Sequence, residues 1–229
     1  MGNCGNRLFF QEDEMEDDEI MRADGSSVSS VNVYGPNTYR HKKHVAASDD
    51  QLWPDGIIPF EMDHSLDYNR ERIEKAMRTI EKHSRIRFIK RTNENPFLNI
   101  SKQDGCWFYN GDGKRPRISL GIGCNSYGTI LHELMHAIGF PHEQRRPDRD
   151  EYITINWQNI KKGQVSQFKR LNPFEYKWSE FPFDYKSIMM YHSYEFSKNG
   201  YRTIETKDGR EIPGNVCLSD LDKQKLGLL

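Results

Sequence analysis

Three histidines in the middle of the sequence have the spacing of metal ligands. His132 and His136 lie four positions apart in the stretch HELMH, and His142 follows six positions later. Because residues i and i+4 share one face of an α-helix, the first two imidazoles can bind the same ion. Three neutral imidazoles with a coordination position left open are typical of a catalytic zinc site, not of a closed structural one. The spacing therefore predicts a catalytic metal centre.

Two other residues of this stretch, Glu133 and Gly139, are also of the kind that a catalytic metal centre needs. Glu133 is next to the first histidine and cannot bind the metal from the same direction. It is placed to accept a proton from a water molecule that the metal acidifies. Gly139 tolerates the left-handed backbone conformation that ends a helix, and the turn after it can bring His142 back to the metal. Together these positions predict a zinc-dependent hydrolase.

A methionine turn further along the chain strengthens this interpretation. Met189 and Tyr191 lie in the stretch SIMMY, residues 187–191. A methionine alone is usually a core residue, but downstream of the long histidine pattern it completes the signature of the metzincins. The sequence therefore resembles this class of zinc endopeptidases.

Within the metzincins, the sequence resembles the astacin family. Residues 132–152, which read HELMHAIGFPHEQRRPDRDEY, are similar to the extended zinc signature of that family. Residues 155–157 and 184–189 are similar to its downstream blocks, and residues 52–60 to the region near the mature start. The resemblance covers about residues 44–229. Since no accessory domain follows in this sequence, the resemblance is greatest to minimal bacterial members such as myroilysin.

The resemblance implies roles for individual residues around a Zn2+ cofactor. The three histidines would be its ligands, and Glu133 would be the catalytic base. Tyr191 would be an additional ligand that moves away to stabilise the oxyanion once substrate binds; the alternative is an ordinary buried tyrosine. Glu143 would approach the new amino terminus, at about His44, after processing. The alternative for Glu143 is a carboxylate that supports the ligands or lies on the surface.

The apolar pattern predicts the elements that position these residues. Short strands are expected over 56–60, 86–89, 97–100 and 117–120, and helices over 67–82, over 126–140, near 157–170 and near 219–228. Mixed strands and helices followed by mostly irregular structure predict an α+β domain. The resemblance implies a two-lobed metzincin (zincin-like) fold, with a mixed twisted sheet, a long active-site helix and a cleft between the lobes.

Residues 1–43 differ from the rest of the chain. Residues 1–30 carry eight acidic and two basic residues and show no periodic apolar pattern. The stretch RHKK at residues 40–43 is a natural site for tryptic cleavage on an exposed arm. We interpret residues 1–43 as an inhibitory pro-segment of mostly irregular structure, and residues 44–229 as the catalytic domain. A solvated acidic tail with an ordinary basic patch is the alternative.

The four cysteines depart from the family pattern. Cys106 and Cys124 resemble one of the two family disulfides, but Arg85 stands where the other would begin. The aspartate motif with which astacin pro-segments block the zinc is not found. Cys4 could replace it, because a thiolate is a strong zinc ligand. A disulfide between Cys4 and Cys217, or an unpaired or lipid-bearing Cys4, are the alternatives.

These interpretations predict a secreted zinc metalloendopeptidase that acts on proteins or peptides as a monomer. Its own pro-segment would inhibit it, and an activating protease would release it. No apolar run is long enough to cross a membrane, and nucleic acid is not expected as a partner. Asn215 stands where many family members carry an arginine that favours acidic substrates, which argues against that preference here.

Two rival interpretations remain. A zinc-bearing binding protein could retain the histidines but needs neither Glu133 nor Tyr191, and both are present. A purely structural zinc module conflicts with three imidazoles and no local cluster of thiolates.

Overall fold

The computed structural model of the chain describes residues 53–111, 115–174, 176 and 180–229. The expected pro-segment, with Cys4, lies outside these residues. The strands and helices, in chain order, are β1 (Ile57–Met62), α1 (Arg70–His83), β2 (Arg87–Lys90), β3 (Leu98–Ser101), β4 (Cys106–Tyr109), β5 (Arg117–Leu120), α2 (Tyr127–Ala137), β6 (Ile153–Ile155), β7 (Ile204–Thr206) and α3 (Asp220–Leu226).

The first half of the described chain forms a five-stranded mixed sheet with the strand order β2-β1-β3-β5-β4. Four strands run parallel, and β4 runs antiparallel to β5. The helix α1 connects β1 to β2, the kind of crossover that parallel neighbours require. Among the described residues β4 pairs only with β5, so its other edge is open to a further strand.

The helix α2 is buried on nearly every side. Of its 11 residues, nine are buried, so it does not have the solvated polar face of a surface helix. Polar side chains in such a helix are costly unless they have partners or bind metals. The buried polar residues His132 and Glu133 therefore need partners or a metal at this place in the fold.

The buried apolar residues form two clusters. The larger contains residues of the sheet and of α1, α2 and α3, together with Met189. The smaller surrounds the two-stranded sheet of β6 and β7 and includes Tyr191. These clusters correspond to the two expected lobes, and the methionine turn contributes to both.

The α+β architecture predicted from the sequence is confirmed, with differences in detail. The helix expected over 67–82 begins at Arg70, because a 3-10 turn precedes it. The helix expected near 157–170 is wrong: the region contains two short 3-10 turns separated by Gly163, whose φ of 93° ends helical geometry. None of the described helices combines the length and apolar character needed to cross a membrane.

Candidate metal centre

Both ends of α2 are held by capping interactions. The Ser126 side chain accepts a hydrogen bond from the Thr129 N–H at 3.0 Å, which caps the amino end. At the other end Gly139 has a φ of 94°. Its N–H donates to the carbonyl of His136 at 2.9 Å, and the Phe140 N–H donates to the carbonyl of Met135 at 3.0 Å. This pair of bonds is a Schellman motif, which turns the chain back directly after the helix.

Backbone carbonyls orient the two helical histidines. The Nδ1 atom of His132 is 2.8 Å from the carbonyl oxygen of Ile188, and that of His136 is 2.7 Å from the carbonyl oxygen of Phe140. A carbonyl can only accept, so each Nδ1 carries the proton and each Nε2 carries a lone pair. This is the tautomer that binds a metal through Nε2.

The third histidine completes a convergent set of nitrogen atoms. The Nε2 of His142 lies 3.1 Å from that of His132 and 3.0 Å from that of His136. A tetrahedral zinc ion with Zn–N bonds of about 2.0–2.1 Å would place its nitrogen ligands about 3.3 Å apart. His132 and His142 are buried and His136 is partly buried. The spacing, tautomers and donor type fit zinc, and all three predicted ligands are brought together.

Glu133 and Tyr191 belong to the same buried region. Glu133 follows the first ligand on α2 and is only 1% exposed. The ring of Tyr191 stands beside that of His142, with centroids 4.4 Å apart. Edge-on contacts with Phe168 and Phe196, both at 5.8 Å, hold the tyrosine ring on its other sides. A buried carboxylate thus directly follows the first ligand in the chain, and a tyrosine ring contacts the third.

The methionine turn supports the centre through backbone groups. The carbonyl oxygen of Met189 accepts from the Glu143 N–H at 2.9 Å, which ties the turn to the residue after the third ligand. Asp222 of α3 fixes the turn from behind, accepting from the Ile188 N–H at 2.8 Å and from the Ser187 hydroxyl at 2.7 Å. The carbonyl that orients the first histidine is therefore held by α3.

Asn215 also supports this turn. Its side-chain amide donates to the carbonyl oxygens of Tyr185 at 3.0 Å and Ser187 at 2.9 Å. The amide group is therefore bonded to the backbone of the turn. It also carries no charge, so it would not attract an acidic substrate as an arginine would.

A recess and a sheet edge lie beside the metal centre. The recess has a volume of about 210 Å³ and is lined mainly by apolar side chains next to one ligand. Its lining includes Phe108, His136, Phe140, Pro141 and Leu171. Since Phe108 belongs to β4, the recess borders that strand. An extended peptide could pair with β4 and place a side chain in the recess.

Comparison with known proteins decides the family. The model of the astacin peptidase family matches residues 45–229. The chain belongs to the astacin family. It is thereby classed with the zinc metalloendopeptidases, and the three histidines are its zinc site.

Astacins from several animals resemble the chain. It is 43% identical to zinc metalloproteinase nas-6 of Caenorhabditis elegans over 77% of its own length, but over only 53% of that protein. It is 44% identical to astacin-like metalloprotease toxin 5 of Loxosceles gaucho, over 79% of the chain and 97% of that protein. High choriolytic enzyme 1, a hatching enzyme zinc-protease of medaka (Oryzias latipes), superposes with a TM-score of 0.69 at 30% identity, over 85% and 98% of the two chains.

The expectation that the resemblance is greatest to minimal bacterial astacins such as myroilysin is wrong. Two structures of myroilysin share only 20% and 17% of their sequence with the chain, a level that shows the common fold alone. The animal proteins share more, at 30% for the medaka structure and at 43% and 44% for the nematode and spider sequences. The point at which a sequence ends is a poor guide to its relatives, because it is not a shared residue pattern.

The remaining predicted residues have mixed outcomes. Cys106 and Cys124 form a disulfide, as the resemblance implies, and Cys217 is disulfide-bonded. Glu143 is 1% exposed and pairs with cationic side chains, so it is not a surface carboxylate. Its predicted contact with a new amino terminus stays a prediction.

Sequence reasoning did not single out two residues of α3 that contact this region, Asp222 and Lys225. The capping box of Ser219 and Asp222 was a visible signal for the first. Burial raises the pKa of Asp222, and its hydrogen bonds from Ser187, Ile188 and Ser219 act in the opposite direction.

Replacing Gly139 by alanine tests the turn that returns the third ligand. A side chain at a φ of 94° introduces strain of about 1–2 kcal/mol. We expect the free energy of unfolding to fall by that amount. If the turn shifts to relieve the strain and binding zinc restores about 1.4 kcal/mol of it, zinc affinity should fall about tenfold. Urea unfolding and competition with a chromophoric chelator measure the two effects.

Gly209→Ala is the matched control. Gly209 has a φ of 77°, and a Cβ there meets no atom within 4 Å. This variant should lose comparable stability and keep its zinc affinity. Equal zinc affinities for the two variants would contradict the role given to the Gly139 turn.

Proposed function

We propose that this astacin is a secreted endopeptidase that hydrolyses peptide bonds of proteins or peptides bound along β4. The observation that carries the proposal is a buried carboxylate, Glu133, directly after the first of three histidines whose Nε2 atoms converge. Zinc, when bound there, polarises the scissile carbonyl and acidifies a water molecule. The remaining steps fall to side chains of the chain itself.

Glu133 and Tyr191 supply the proton transfer and the hydrogen bond that hydrolysis needs. Glu133 accepts a proton from the attacking water and then donates it to the leaving amine. Tyr191, beside His142, donates a hydrogen bond from its hydroxyl group to the oxyanion of the transition state and keeps its proton. A binding protein with the same fold would need neither group, so their burial beside the ligands favours catalysis.

The surroundings of the centre support a polypeptide substrate. The open edge of β4 offers backbone donors and acceptors to an extended chain. The recess that Phe108 and Leu171 line accepts an apolar side chain better than a charged one. Among the similar proteins, one is named a hatching enzyme zinc-protease and another a metalloprotease toxin.

We also propose that the chain acts outside the cell as a monomer. The Cys106–Cys124 disulfide is of the kind that persists in oxidising compartments. A similar protein of Loxosceles gaucho is named a toxin, which is consistent with secretion.

Residues 1–43 form the inhibitory pro-segment in this proposal, and residues 44–229 the catalytic domain. The acidic composition of the first part and the basic stretch at 40–43 support it. Cleavage there by an activating protease would start the mature chain at about His44. Cys4 would hold the pro-segment on the catalytic domain, either by binding the zinc or by forming a disulfide with Cys217. The disulfide-bonded state of Cys217 favours the second role.

Casein hydrolysis by the purified full chain, before and after limited trypsin treatment, tests the proposal. We expect activity only after trypsin, because cleavage near 40–43 removes the pro-segment. The chelator 1,10-phenanthroline should abolish it, because it removes the zinc. Glu133→Gln keeps the size of the side chain but not its basicity, so it should retain zinc and lower kcat by about 100- to 10,000-fold.

Glu71→Gln, which changes an exposed carboxylate of α1, is the control and should leave kcat unchanged. Absence of activity in every condition, despite one bound zinc per chain, would contradict the endopeptidase proposal and favour the binding-protein alternative.

Cys4→Ser and Cys217→Ser, both without trypsin, test how the pro-segment is held. We expect Cys4→Ser to raise the activity of the unprocessed chain, because the pro-segment loses its attachment to the catalytic domain. An equal rise in activity in Cys217→Ser would show that a disulfide holds the pro-segment. A rise confined to Cys4→Ser would show that Cys4 holds it by binding zinc. No gain in either variant would exclude Cys4 from latency.

A further inference from the structure

Lys225 is a buried charge that the proposed reaction does not use. It lies in α3 with 0% of its surface exposed, although lysine is almost never fully buried unless it is paired. Its Nζ atom is 3.1 Å from Oε2 of Glu143, and both side chains of this pair are 1% exposed. The two residues lie 82 positions apart in the chain, so the pair joins α3 to a distant segment.

The Glu143 carboxylate is bonded through both oxygens. Oε2 accepts from Lys225, and Oε1 accepts from the Asp184 N–H at 3.0 Å and from Nη1 of Arg146 at 3.2 Å. Arg146 is itself held by the carbonyl oxygens of Phe181 and Pro182. A buried carboxylate with two cations and a backbone donor has the compensation that its desolvation requires.

The position of Glu143 links this pair to the metal centre. Glu143 directly follows the ligand His142, and its N–H donates to the Met189 carbonyl oxygen at 2.9 Å. A displacement of Glu143 would therefore move both the third ligand and the methionine turn. One helical turn before Lys225, Asp222 holds the same methionine turn through Ile188. The short helix α3 thus contacts the metal centre at two points.

We propose that Lys225 is a positioning residue for the zinc site, acting through Glu143 to hold His142 against the other two ligands. The ammonium group of Lys225 gives Glu143 a cationic partner from within the described residues. This pairing does not depend on the amino terminus that processing would create. Groups that orient metal ligands typically change metal affinity by about 10- to 100-fold when they are removed. The effect on zinc binding does not rest on the proposed function; the effect on catalysis does.

Zinc titration of the full chain carrying Lys225→Met tests this inference. Competition with a chromophoric chelator should show zinc affinity at least tenfold weaker than in the wild type. Lys223→Met is the matched control, because Lys223 lies on the same helix but pairs at the surface with Asp220. Its zinc affinity should equal that of the wild type. Lys225→Arg keeps the positive charge and should restore at least part of the affinity.

A second variant guards against simple misfolding. Glu143→Gln with Lys225→Met leaves no uncompensated carboxylate, and we expect it to fold with zinc affinity as weak as that of Lys225→Met or Glu143→Gln alone. After trypsin, these variants at saturating zinc should show a lower kcat with KM changed less than twofold. A lower unfolding midpoint with zinc affinity and kcat both unchanged would overturn the inference, because the pair would then only stabilise the fold.

The outcomes also separate this inference from the proposed function. A wild-type chain that binds zinc tightly but hydrolyses nothing would defeat the endopeptidase proposal. A tenfold loss of zinc affinity in Lys225→Met would still support the positioning role.

Discussion

Three imidazole nitrogen atoms face one another inside this protein, at Nε2 distances of 3.0 and 3.1 Å between neighbours. Their lone pairs repel one another in the absence of a cation, so the protein must hold the rings from behind. The carbonyl groups of Ile188 and Phe140 do so by accepting the Nδ1 protons. One carbonyl belongs to the methionine turn and the other to the turn that ends α2. The geometry of both turns is therefore a requirement of the metal centre, and the rest of the site is arranged around them.

Buried charges hold these turns in place. Asp222 bonds to the methionine turn, and Lys225 pairs with Glu143 beside the third ligand. Breaking a buried pair by removing one partner typically costs about 3–5 kcal/mol, because it leaves a charge without compensation. A helix of seven residues would not be stable alone in water. Its burial against the larger core, through Leu226, gives α3 the rigidity that such contacts need.

Short-range features of the site were predictable because they depend on local geometry. The spacing of His132 and His136 and the glycine stop at 139 follow from the helix itself. The contacts of Asp222 and Lys225 were not predictable from the sequence, since their partners lie 34 and 82 positions away. The strand β4 was missed because its sequence, CWFY, does not alternate between apolar and polar residues. The helix expected near 157–170 failed at Gly163, where backbone conformation outweighed the apolar pattern.

X-ray absorption at the zinc edge, on the purified full chain, tests the central claim most directly. The three-histidine centre predicts one zinc per chain with three imidazole nitrogen ligands at about 2.0–2.1 Å. Any further ligands should be oxygen, unless Cys4 contributes a sulfur at about 2.3 Å. His142→Ala should remove one imidazole from the spectrum. A chain without zinc, or zinc with fewer than three imidazole ligands in the wild type, would contradict the account.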